Sequence, residues 1–404
     1  MSKLSELIAL HCPNGVASKS LDEMFEQFSG MTGVSGKWAD EGNCEFIDYM
    51  NAYTNLKIDV SALKKATVKS TKQNVLKKGD VLFTAASETP EECAIASEIE
   101  GEIKDGVFMD DHLFGLRLKK DCCELFATGF LKYAFRSVSF RNQLKRVVRG
   151  ATRFYVSKTD FMKLSISVPP LPVQTEIVRI LDNFTELTAE LTAELTARKQ
   201  QYKHYRTDLL TFGDDVERLA LLSVADVLYG YPCDASLFNE ERMGMPLARI
   251  RDVLPGRTDT YTTEQVPDRY ILSFGDLLIG MDGNFHVANW KTDGGILCQR
   301  VCKITSKDQT FLLDGFLSHL LKPIIKRIED NKQGGTVKHL LDKDIKAIQI
   351  PVPPLSVQRE IVRFLDRLSS LCENTSEGLP AEIEARQKQY EYYRDKLLTF
   401  TPAE

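Results

Sequence analysis

The side chains best suited to chemistry in this sequence are cations and amides. From Lys132 to Lys163 there are nine Lys or Arg and one acidic residue, Asp160, inside a chain whose formal net charge is -5. Arg136, Arg141, Lys145, Arg149 and Arg153 have the charge and reach to contact phosphate, Thr152 adds a hydroxyl donor, and Gly150 permits close backbone approach. Lys322, Lys326, Arg327, Lys332, Thr336 and Lys338 form a second set. A charge run alone is more often a solvated helix face; its occurrence twice argues for a shared anionic ligand.

A second kind of chemistry lies in Gly280-Met281-Asp282-Gly283-Asn284-Phe285-His286 and the Val287-to-Lys291 stretch that follows. An Asp-Gly pair between apolar runs is a hairpin signal by itself. This loop adds Asn284, His286, Asn289, Trp290 and Lys291, the residue types that read base edges or follow a nucleic-acid backbone. Arg300 is expected to face the same ligand. In the first half Glu88 occupies the matching loop, either as an acceptor for a cytosine amino group or as plain surface.

Other chemistries lack their residues. There is no Asn-Pro-Pro-Tyr type tetrapeptide for amino methylation. Gly30 to Trp38 misses a phosphate loop, because the glycine spacing is wrong and Trp38 stands where Ser or Thr would hold magnesium; a flexible loop is expected there. The six histidines and nine cysteines show no metal spacing, and Cys298 and Cys302 read as buried strand residues. No metal, no cofactor and no catalytic residue is expected.

Repeated elements must position these residues. VPPLPVQTEIVRILDNF from Val168 recurs as VPPLSVQREIVRFLDRL from Val352, an offset of 184 residues, and ARKQQYKHYRTDLLTF from Ala197 recurs from Ala385 at 188. Each proline pair followed by an apolar rhythm marks a helix start, the first near Val173. Ile177, Phe184 and Leu191, beside Ile180 and Leu187, then Leu195, Tyr202 and Leu209, give a coiled-coil seam with a four-residue stutter. Leu365, Leu368 and Tyr390 continue it in the second copy, where Gly378 and Pro380 should interrupt the helix. Glu186 to Ala197 reads ELTAELTAELTA, a spacer of three tetrapeptides. Four helical residues add about 6 Å and turn roughly 40°; a base pair adds about 3.4 Å and turns roughly 34 to 36°. The Gly79-Asp80 turn and its buried strand also recur, as Gly275-Asp276 and its strand, so the globular parts share one plan.

The duplicated PPL-x-x-Q-x-x-I-V-x-x-L-D blocks, the Q-Y-x-x-Y-R-x-x-L-L-x-F endings and the tetrapeptide repeat resemble the specificity (S) subunits of type I restriction-modification systems, nearest the type IC group. The resemblance implies a mixed α/β fold: two α/β target-recognition domains joined by two long antiparallel coiled-coil helices, in a pseudo-twofold internal repeat. The expected division is 1–164 and 213–350 for the recognition domains, and 165–212 and 351–404 for the spacer helices. It implies double-stranded DNA with a bipartite site as ligand. Its implied partners are two methyltransferase subunits and, through them, restriction subunits, which would bind S-adenosylmethionine and ATP. The chain itself would be non-catalytic.

A length of 404 residues suffices for two cored domains. The acidic balance argues against non-specific coating of DNA. Unpaired cysteine spacing points to the cytoplasm, and no apolar run is long enough to span a membrane. Two other readings stay open at this level: an orphan or degenerate subunit serving as a coiled-coil scaffold, and a nuclease or methyltransferase with an unrecognised site.

Overall fold

Each half of the chain is built outward from the strand that follows its Gly-Asp turn. In the computed structural model, which describes residues 3–37, 42–70, 72–332, 338–373 and 378–403, Gly79 and Gly275 have φ of +86° and +92°. Glycine adopts this left-handed conformation without steric penalty. The aspartate then closes the turn, Asp80 accepting from the Lys77 amide at 2.8 Å and Asp276 from the Ser273 amide at 2.8 Å.

By chain contacts there are two units, Met1–Leu191 with Ile383–Glu404, and Thr192–Glu382. In the first, β1 (Phe25–Ser29), β2 (Val81–Thr84), β3 (Ala96–Glu98) and β4 (Leu113–Leu118) form an antiparallel sheet in the order β1-β4-β2-β3. In the second, β5 (Ala225–Tyr229), β6 (Leu277–Gly280), β7 (Val287–Asn289) and β8 (Val301–Ser306) repeat it as β5-β8-β6-β7. All four residues of β2 and of β6 are buried, as strands covered on both faces should be. The first core gathers Phe25, Phe83, Phe135, Phe140 and Phe161; the second gathers Ile279, Ile304, Phe316, Leu317 and Ile325.

Hydrogen bonds fix the correspondence between the sheets. The Gly79 amide donates to Ile99 O at 2.8 Å and the Gly275 amide to Trp290 O at 2.8 Å. The Ala85 amide donates to His112 O and the Met281 amide to Arg300 O, each at 2.9 Å. Ile99 therefore matches Trp290, and His112 matches Arg300.

The first proline pair opens a helix of 39 residues, Leu171–Leu209, starting two residues before Val173. The second copy is divided into Leu355–Glu373 and Leu379–Leu397, with Gly378-Leu379-Pro380 at the junction. The recurring glutamine explains much of the motif. Gln174 donates to Pro169 O at 2.7 Å and Leu125 O at 2.8 Å and accepts from the Ala127 amide at 2.9 Å. Gln358 donates to Pro353 O and Phe311 O, each at 2.9 Å, and accepts from the Leu313 amide at 2.9 Å. A buried amide with three partners locks the helix start onto the domain beside it. The aspartate of each Leu-Asp pair adds a second tie: Asp182 accepts from the Tyr133 hydroxyl at 2.6 Å, and Asp366 Oδ1 lies 2.7 Å from His319 Nε2.

In the first unit Phe184 stacks on Tyr393 at 5.3 Å, and in the second Tyr205 meets Phe364 edge-on at 5.2 Å. Each unit thus combines the proline-led block of one repeat with the tyrosine-rich block of the other. Of the expected seam, Tyr202, Leu365 and Tyr390 are buried and Leu191, Leu195 and Leu368 are half-buried, but Leu187 is exposed. In the first unit the buried stripe is Val173, Ile177 and Leu181, a helical face spaced by four. The flexible loop expected from Gly30 is not what forms: Val34–Lys37 is a strand, and a Cβ on Gly30 would lie 2.0 Å from Asp110 O, so backbone packs closely there. Trp38 lies outside the described residues.

Candidate nucleic-acid interface

In the first unit the basic segment is divided by a hairpin. Arg149 and Tyr155 exchange two backbone hydrogen bonds, of 2.8 and 2.9 Å, and close a tip on which Ala151, Thr152 and Arg153 are exposed. Phe154–Tyr155 then pairs with Ala86–Ser87, so the tip stands beside the loop that leaves β2. Gly150 serves the hairpin itself, because its φ is +121° and a Cβ there would lie 2.0 Å from Arg153 O. Close approach is therefore to the protein's own backbone. Arg149 is exposed and donates to Asp160 at 2.6 Å, and Lys145 is exposed beside Glu91 at 2.9 Å. Both cations remain accessible to a phosphate, since surface pairs of this kind exchange readily with solvent and ligands.

Two arginines of the segment have other work. Arg136 donates to Ala96 O and Asn55 O, each at 2.8 Å, and burial pushes its guanidinium pKa down to about 10. Arg141 donates to Ala94 O at 3.0 Å and to Glu91 O, and burial lowers its pKa as well. These side chains satisfy carbonyls within the fold, a role that charge counting cannot separate from phosphate contact.

The second unit gathers its loop from three pieces of chain. The Leu340 amide donates to Met281 O at 2.7 Å and the Gly283 amide to Lys338 O at 2.9 Å, which sets His339 opposite Asp282. Asp282 Oδ1 lies 2.7 Å from His339 Nδ1, and Asp282 Oδ2 lies 3.5 Å from Arg300 Nε. Asn284 and Arg300 are exposed around this cluster and His286 is half-buried. Lys291 is exposed beyond β7.

Trp290 is corrected by its burial. Its ring is fully enclosed in the core, its indole N–H donates to Gly294 O at 2.8 Å, and it fills the place of Ile99. Asn289 is also committed: its amide donates to Gly275 O at 2.9 Å and accepts from the Ser318 hydroxyl at 2.8 Å. It anchors sheet to helix, as Glu98 does in the first unit by accepting from the Gly129 and Lys132 amides at 2.9 Å each. Lys332 is tied to Asp344 at 2.5 Å and Lys338 to Glu329 O at 2.8 Å. Thr336 lies outside the described residues.

Both units therefore bring the same three pieces together: the loop leaving the central strand, the residue entering the last long strand, and a returning segment. Sequence patterning gives Asp282 only a turn role within this loop and does not single out His339 or His112. The 184-residue offset that aligns Arg149 with Gln333 also aligns Tyr155 with His339. Carried a few residues further, that alignment would have found it.

Residues 13–198 and 244–385 match the family model of the type I restriction modification DNA specificity domain. The chain belongs to that family. It is 37% identical over 171 residues to the Type I restriction enzyme EcoBI specificity subunit of Escherichia coli, a match covering 42% of this chain but only 36% of that protein. It is 33% identical over 273 residues to the EcoR124I/EcoR124II specificity subunit of Escherichia coli, covering 62% of this chain and 67% of that one. The type I S subunit structure from M. genitalium shares the fold at a TM-score of 0.56 and 13% identity, covering 96% of this chain and 98% of that chain. A chain from a structure addressing complex assembly and conformational transition of the type I R-M system gives 0.59 at 20%, with the same coverage. The family model thus matches a stretch in each half of the chain, and no helix among the described residues is long and apolar enough to cross a membrane.

Proposed function

We propose that this chain is the sequence-specific DNA-binding subunit of a type I restriction-modification complex, reading a bipartite target and recruiting methylating subunits and, through them, restriction subunits. The observation that carries this reading is the strand-end arrangement that occurs twice on one scaffold with different side chains. His112 stands where Arg300 stands, and Ala86 and Tyr155 stand near the places of Asp282 and His339. A shared scaffold with divergent exposed polar groups suits two recognition surfaces with different targets.

Residues 1–164 and 213–350 read one half-site each, and 165–212 with 351–404 set the spacing. Lys145, Arg149, Thr152 and Arg153 hold phosphates in the first half; Asn284, His286, Lys291 and Arg300 approach DNA in the second. Two methyltransferase subunits dock on the repeated helix starts, one per repeat, and the complex works in the cytoplasm. Methyl transfer and cleavage belong to those partners, so the isolated chain catalyses neither.

The test is methylation sequencing of a restriction-deficient host expressing this chain with its methylating partner, against the partner alone. A single split motif that depends on this chain is expected. A well-formed complex that adds no motif would overturn the reading.

A further inference from the structure

We propose that Arg300 reads a guanine in the second half-site and that Asp282 is its positioning residue, an assignment that rests on the DNA-recognition reading above. Among the described residues only Ala94, Arg242 and Arg300 are non-glycine residues with positive φ, and that of Arg300 is +67°. A side chain with a β-carbon is disfavoured there, so the surrounding structure must hold it. It does so through the Met281 amide, which donates to Arg300 O at 2.9 Å. That bond fixes the backbone of a side chain that is 65% exposed.

The guanidinium is oriented as well as exposed. Asp282 Oδ1 lies 2.7 Å from His339 Nδ1, and its Oδ2 faces Arg300 Nε at 3.5 Å. Among the described residues no protein acceptor meets the two Nη groups. A planar pair of N–H donors whose Nε edge faces a carboxylate 3.5 Å away matches the O6 and N7 acceptors of guanine in the major groove. Adenine offers a donor beside N7 and would oppose one of the two.

A phosphate could take the same fork, but the other unit argues against it. His112 occupies the position of Arg300, and it too is held by carboxylates, with Nδ1 3.0 Å from Asp110 Oδ1 and 3.0 Å from Asp111 Oδ1. A buttressed side chain that changes type between halves is what base reading requires.

The experiment compares Arg300→Gly and Arg300→Lys with the wild type in the complete methyltransferase complex. Glycine removes the side chain and eases the left-handed backbone, so the thermal midpoint should not fall. Methylation sequencing should show one G·C position of one half-site relaxed in Arg300→Gly and kept or only partly relaxed in Arg300→Lys, whose ammonium still donates to O6 and N7, with the other half-site and the spacer unchanged. Binding to a duplex of the wild-type motif supplies a second readout. Placing 7-deazaguanine at that position should weaken the wild-type complex by about 5- to 150-fold and Arg300→Gly no further. Asp282→Asn should relax the same base and no other.

Full retention of the motif by Arg300→Gly would overturn the guanine assignment. So would equal weakening of Arg300→Gly on all duplexes, the signature of a phosphate contact, or wild-type indifference to 7-deazaguanine throughout the half-site. An unchanged motif in Asp282→Asn would overturn the positioning role. If the wild type itself directs no motif, the failure is that of the proposed function and not of Arg300 alone.

Discussion

Gln174 and Gln358 each place one buried side-chain amide against two carbonyls and one N–H of the backbone. Truncation leaves those groups without partners in a dry interior, where each unsatisfied group costs about 1–3 kcal/mol. Gln358→Ala is expected to destabilise the chain by roughly 2–4 kcal/mol in urea unfolding; a loss under about 1 kcal/mol would remove the lock from the argument. Trp290→Ala should cost about 3–5 kcal/mol of stability and leave the wild-type motif unchanged in the fraction that folds. Glu98 provides a pH test. Burial pushes its pKa up to about 7, against the Gly129 and Lys132 amides whose donated hydrogen bonds favour the charged form. The folded state therefore binds the proton more tightly than the unfolded one, so its contribution is complete at acid pH and is lost as pH rises toward 7. Relative to Glu98→Gln, wild-type stability should fall across that window by at most about 1.4 kcal/mol per pH unit. Parallel pH curves for the two proteins would contradict the assigned shift.

The element that invites a length test is the helix Leu171–Leu209. Its Glu186-to-Ala197 stretch has no buried side chain, with Leu187 exposed and Leu191 and Leu195 half-buried. Ala, Leu and Glu are strong helix formers, so the stretch maintains helix through local propensity. Removing Thr188 to Leu191 takes out about 6 Å of rise without cutting into the Val173, Ile177 and Leu181 stripe. Under the proposed function this deletion shortens the spacer of the methylated motif and preserves both half-sites. Methylation sequencing that returned the original spacer would refute a ruler role for the repeat.

At the scale of the whole molecule, the two units use equivalent strands, turns and helix locks, but each recruits its tyrosine-rich helix from the other repeat. Tyr133 lies 6.3 Å from Tyr390 in the first unit, and Tyr202 shares a core with Ile361 and Leu365 in the second. Exchanging residues 1–164 for those of another family member should alter one half-site only, because β5 to β8 pair with one another and the core cluster beneath them draws no residue from 1–164. A change in both half-sites, read by the same sequencing, would show that recognition is not separable by unit.

Repetition and local chemistry in the sequence by themselves determine a large part of this protein. The 184- and 188-residue offsets announced two similar halves, the proline pairs announced helix starts, and the Gly-Asp turns announced the central strands. These signals are legible because they depend on φ restrictions and periodicity, which act over a few neighbouring residues. The candidate contacts were less legible. Arg136 and Arg141 have the same charge as Arg149 and Arg153, and only their burial against Ala96, Asn55 and Ala94 carbonyls separates the two pairs. Trp290 and Asn289 sit in a loop of DNA-reading residue types, yet sheet register sends one into the core and the other to Ser318. Asp282, Arg300 and His339 meet from segments 18 and 39 residues apart. That meeting was decided by strand pairing, because long-range register determines which exposed side chains share a surface.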